Sequence, residues 1–211
     1  MRTFRTPATA GALADVIGYL YSVNLAVPRF ALSVMSSEEE QAWRAAGWTF
    51  SAYSIPGSVV LTPGAGALLD RMVASRDAGR ATDPWMPMIL LHEALHQLRG
   101  APACRDEGEA FEVSRMLEEG LVDAVAADLL PNFIARAFGP KSALLLRGGV
   151  QGTISYPDQV TEVRRRSMRA TGKPWHSPGA FAWRVGMLRK TLQERAVEWE
   201  RVGGLAMPHV A

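Results

Sequence analysis

Two of the chain's four histidines stand four residues apart, with a glutamate between them, in LLHEALHQL over residues 90–98. On an α-helix, residues four apart lie on one face, one turn from each other. His92 and His96 can therefore aim imidazole nitrogens at a single point, and neutral imidazole is a ready ligand for zinc. Glu93 lies about a quarter-turn round the helix, where its carboxylate reaches a water held by the metal rather than the metal itself. A carboxylate so placed is a general base for attack on a polarised carbonyl. Met88, Leu91, Leu95 and Leu98 form an apolar stripe, which leaves the histidines a different sector that can line a cleft. The bland alternative is an amphipathic helix with two solvated histidines.

The pentapeptide is the HExxH pattern of zinc metallopeptidases. A catalytic zinc needs a third protein ligand. The segment RMLEEGLVDAVAADL, residues 115–129, offers one. Here the chain resembles the gluzincin group of metallopeptidases, to which the thermolysin-like enzymes belong. The resemblance spans about residues 84–130. It implies a zincin-like helical core and a zinc site completed by a glutamate on a second helix, some twenty or more residues after the second histidine. Glu118 and Glu119 follow His96 by 22 and 23 residues. In thermolysin-like enzymes an aspartate one turn after the ligand holds a zinc histidine by its other ring nitrogen, and Asp123 bears that relation to Glu119. The resemblance thus implies Glu119 as ligand, Asp123 as the group that orients a histidine, and Glu118 beside them or in solvent. A carboxylate on the second ring nitrogen fixes a ligating histidine's tautomer. Gly120 sits in mid-helix at a cost of about 1 kcal/mol against alanine, and close approach of the HExxH helix is the reason expected.

Peptide hydrolysis also builds negative charge on the former carbonyl oxygen, which a donor can stabilise. Resembling enzymes use a tyrosine or histidine downstream of the glutamate ligand. Tyr156 in SYPDQV and His176 in PWHSPG are the candidates, each in a turn-like segment. The reading is a zinc-dependent metallopeptidase acting on a peptide or protein, with His92, His96 and Glu119 as ligands and Glu93 as base. The alternative keeps the zinc in a structural or interaction module, phage or secretion-system associated, without turnover. Intact Glu93 argues against it, since a structural site has no use for a base.

Other groups read as quieter. Cys104 falls in the loop between the two metal helices and His209 near the C-terminus. Arg164, Arg165, Arg166 and Arg169 share one helix, as a solvated face or as an anion clamp. GAGAL lacks the lysine a phosphate loop needs.

The elements that must position these groups follow from periodicity. Helices are expected over residues 9–23; from Ser37, capped with Glu40, to Ala46; over 65–79; from Asp83 and Pro84 to Arg99, with Gly100 as stop; and from Glu109 to Leu130, ended by Pro131. Residues 132–150 suggest one or two short helices, and two further helices close the chain. SVVLTPG, residues 58–64, is the strand candidate, and an edge strand there can pair with an extended peptide. The fold class is mostly α (α+β) with a small sheet. One zincin-like domain over 1–211 is expected, with an N-terminal helical and strand part (1–80) and the metal-site and C-terminal helices in 81–205.

The 211 residues are 48% hydrophobic and 21% charged, which is ordinary globular composition. A net charge of +2 is too mild to argue for nucleic acid. One cysteine permits no intrachain disulfide. Asp15 interrupts the first apolar run, and no segment reads as a signal peptide or membrane span. A cytoplasmic protein without nucleic-acid or membrane partners is expected.

Overall fold

Thr6 opens the first helix. Its hydroxyl accepts the Thr9 N–H at 3.2 Å, the Thr9 hydroxyl accepts the Thr6 N–H at 2.9 Å, and Pro7 occupies the first turn. In the computed structural model, which describes residues 3–77, 84–98, 108–139 and 153–203, helix α1 then runs Pro7–Ser22. Strand β2 (Ala31–Met35) pairs antiparallel with the short β1 (Thr3–Phe4). Helix α2 (Ser37–Ala45) is capped by Ser36 rather than Ser37. Ser36 keeps the extended backbone a cap requires and accepts the Glu39 N–H at 3.2 Å, while Ser37 has already entered the helix.

Strands β3 (Ala52–Ile55) and β4 (Ser58–Leu61) form a hairpin through Pro56-Gly57. Gly57 has φ +76°, a conformation glycine adopts without strain, after a proline suited to the preceding turn position. The sheet order is β1-β2-β4-β3, with β2 and β4 parallel. The expected strand at 58–64 is therefore interior, and β3 is the outer strand beside it. It also ends early. The Thr62 hydroxyl accepts the Ala65 N–H at 3.3 Å, and Pro63 begins α3 (Pro63–Asp77). Thr-Pro is a helix start.

Helix α4 spans Trp85–His96 and α5 spans Gly108–Phe138. Pro131 does not end α5. An interior proline costs about 3 kcal/mol, but Leu129, Leu130, Phe133 and Ile134 around it are all buried, and that burial outweighs the lost bond. The chain closes with three helices, not two: α6 (Pro157–Thr171), α7 (Pro178–Leu188) and α8 (Leu192–Gly203). Thr191 and Glu194 make the extra break. The Glu194 carboxylate accepts the Thr191 N–H at 2.8 Å, and the Thr191 hydroxyl accepts the Glu194 N–H at 3.2 Å. That is a capping box. The described residues thus hold eight helices and one small sheet, mostly α with a little β. None of these helices is long and apolar enough to cross a membrane. Of residues 132–150, where one or two short helices are expected, 132–138 continue α5 and 140–150 lie outside the described residues, as do Gly79, Asp83, Gly100, Cys104 and His209.

By contacts the chain divides into two compact units, residues 1–97 with 129–153 and residues 98–128 with 154–211. In the first, α1, α3 and α4 pack on one another and on the sheet. Val34 meets Gly66 of α3 so closely that a Cβ there would stand 2.9 Å from its methyls. The buried Tyr19 hydroxyl donates to the Leu129 carbonyl at 3.0 Å, and its ring lies 5.3 Å from Phe133. In the second unit α6 packs against α7 and α8, and charged groups fill much of the interior. Arg166, fully buried, donates to Glu162 at 2.6 Å and to the Trp199 carbonyl at 3.1 Å. Arg184, also fully buried, reaches Asp128 at 2.5 Å and the Trp175 carbonyl at 2.9 Å. Arg164 stacks on Trp175, 4.0 Å from the ring centre. The arginine run is thus divided: Arg166 is buried and Arg164 half-buried, each on a carboxylate, while the Arg165 side chain is 41% exposed and Arg169 is exposed.

Candidate metal centre

The helix that carries the two histidines is buried nearly all round. Met86 to Leu91 and Glu93 to His96 are all buried. The stripe expected from Met88, Leu91, Leu95 and Leu98 is one side of a central helix, since a helix apolar on every side belongs inside a core. Pro87 is tolerated because the first-turn N–H groups have no helical partner to lose.

A second device holds the end of this helix. Gln97 directly follows His96 and is buried. Its carbonyl accepts the Gly57 N–H at 3.0 Å, and its amide donates to the Ile55 carbonyl at 3.2 Å and to the Ser54 hydroxyl. Ser54 donates in turn to the Glu93 carbonyl at 3.4 Å. The β3–β4 hairpin therefore fixes α4 at the two residues that flank its last turn. Sequence reasoning missed Gln97. The signal was a lone amide in an apolar run, a polar group whose burial requires partners.

The His92 and His96 Nε2 atoms are 3.0 Å apart. Zinc at about 2.05 Å from each nitrogen needs roughly 3.3 Å between tetrahedral ligands, so the pair is close to the required span. His96 is 5% exposed and His92 half-buried.

Helix α5 presents Glu118, Glu119 and Asp123. Glu118 does not face solvent. It is buried, with a carboxylate oxygen 3.6 Å from Arg195 of α8. Asp123 is 1% exposed, and one oxygen accepts the backbone N–H groups of Ser155 and Tyr156, each at 2.9 Å. Gly120 has a different reason from the one expected. A Cβ there would stand 2.7 Å from the backbone carbon and 2.9 Å from the oxygen of Gln159. The close neighbour is the first turn of α6, not the HExxH helix. That turn is thus fixed to α5 by a steric contact at Gly120 and by hydrogen bonds at Asp123, on either side of one helical turn.

His92, His96 and Glu119 form one group: a ring nitrogen from each histidine and a carboxylate oxygen all lie within 4.8 Å of one another. It is the one set of three metal-ligating side chains found among the described residues. Two neutral imidazoles and one carboxylate are a zinc donor set that leaves a fourth position for water. Glu93 stands outside the group. Tyr156, half-buried, precedes α6 with its backbone on Asp123. His176 is exposed against Trp175, ring centres 5.6 Å apart, and is not brought into the group.

No protein-family model, curated protein or solved structure matches the chain.

Proposed function

We propose that the chain is a zinc-dependent metallopeptidase of the gluzincin kind, hydrolysing peptide bonds. The observation that carries this reading is the convergence of His92, His96 and Glu119 from two helices into one group. These three residues would hold the metal. Bound there, zinc supplies Lewis acidity and lowers the pKa of water to near neutrality. Glu93 takes the proton of the attacking water and delivers it to the departing amine, so one carboxylate serves both halves of the reaction. Tyr156 donates toward the developing oxyanion. Its support is the hydrogen bond from its N–H, beside that of Ser155, to Asp123, one turn from Glu119. Asp123 also orients a histidine of the pair. The peptide lies along β3, the outer strand, which Ser54 and Gln97 tie to α4. The lone cysteine favours a reducing compartment such as the cytoplasm.

The test is cleavage of a denatured protein substrate, followed by mass spectrometry, for the wild type with zinc, with chelator, and for Glu93→Gln. Cleavage by the zinc-loaded wild type alone supports the reading. Equal cleavage by Glu93→Gln, or none by any sample that holds zinc, contradicts it.

A further inference from the structure

The first unit has a feature that shares no residue with the metal group. A cavity of about 380 Å³ opens where α1 and β2 begin. Its wall is apolar, from Leu13, Phe30 and Leu32, with Thr9 beside them. Arg5 and Arg29 also line it, and among the described residues no acidic one does. Both arginines are exposed, and neither has an ion pair or side-chain hydrogen bond among the described residues.

Two like charges on one cleft repel each other and gain from a shared anion. A guanidinium fork matches a carboxylate in shape as well as charge. The apolar wall adds a second requirement, because a bare anion would leave it against water. A volume of this size accepts a body of about ten to twenty non-hydrogen atoms. We propose that this cleft binds a small organic carboxylate with an apolar body, its charge on Arg5 and Arg29 and its body against Leu13, Phe30 and Leu32. Two sources share that chemistry: a free acid and the C-terminus of an apolar peptide.

The test is calorimetric titration of the full chain with 3-phenylpropionate, its neutral amide, N-acetyl-phenylalanine and inorganic phosphate. Arg5→Gln/Arg29→Gln is the comparison protein, and both sites are exposed, so its melting temperature should match the wild type. Saturable binding of 3-phenylpropionate at about 1 mM or tighter is expected, weakened about tenfold or more for the amide and for the double variant. Tighter binding of N-acetyl-phenylalanine than of 3-phenylpropionate assigns the cleft to a peptide C-terminus, and the reverse order to a free acid. No saturable binding, equal binding of acid and amide, an unaffected double variant, or phosphate binding as tightly as the carboxylates each overturns the proposal.

Discussion

Glu93 is the residue on which turnover depends in the proposed reaction, yet it is not a ligand. Glu93→Gln keeps the helix, the size and the burial but removes the base. The expected result is unchanged zinc content with kcat lower by about 10²- to 10⁴-fold. Metal analysis beside a peptide-cleavage assay checks both halves. Gly120 gives a prediction of the opposite kind, structural rather than chemical. Alanine gains about 1 kcal/mol of helix propensity, but its Cβ would stand 2.7 Å from backbone of α6. Overpacking against backbone costs about 1–3 kcal/mol, so Gly120→Ala is expected to lower the urea midpoint. A midpoint at or above wild type contradicts the close approach. Gln97→Ala leaves the Gly57 N–H and the Ile55 carbonyl without their side-chain partner. A loss of about 1–3 kcal/mol in equilibrium unfolding is expected.

Helices and strands differed in how much of them the sequence revealed. HExxH and the following acidic helix were legible because their information is local: ligand spacing, a mid-chain glycine and apolar periodicity. The oddness of Gly120 was legible, but its partner was not, because Gln159 lies far along the chain and only packing brings it there. β3 was invisible in the same way. Ala52, Tyr53, Ser54 and Ile55 carry no clear alternation, and the strand exists because β4 pairs with it. Pro131 misled for a related reason, since the burial that outweighs its local cost is tertiary. Arg164 and Arg166 of α6 read as surface, because their partners Asp128 and the Trp199 carbonyl lie on other helices.

Helix α6 also carries a pH dependence. Burial raises the Glu162 carboxyl, but hydrogen bonds and charge from Arg165 and Arg166 bring it below its ordinary 4.5. A group whose folded pKa is lowered contributes stability that is complete above its unfolded value and lost as pH falls through the folded one. Glu162→Gln is therefore expected to flatten the fall in melting temperature below about pH 4.5. An unchanged acid slope in that variant contradicts the assignment.

For the whole molecule, the zinc proposed on His92, His96 and Glu119 would make metal binding part of the folding free energy. A ligand that binds only the folded state stabilises it by about 2.7 kcal/mol at a concentration a hundred times its Kd. Zinc should raise the melting temperature of the wild type and leave His92→Ala unmoved. The decisive measurement is elemental analysis of the purified chain beside His92→Ala and Glu119→Ala. About one zinc per wild-type chain, lost in both variants while each remains folded by circular dichroism, is the expected result. A wild type that takes up no zinc after reconstitution contradicts the metal centre, and LLHEALHQL is then a buried helix that matches a zinc motif by chance.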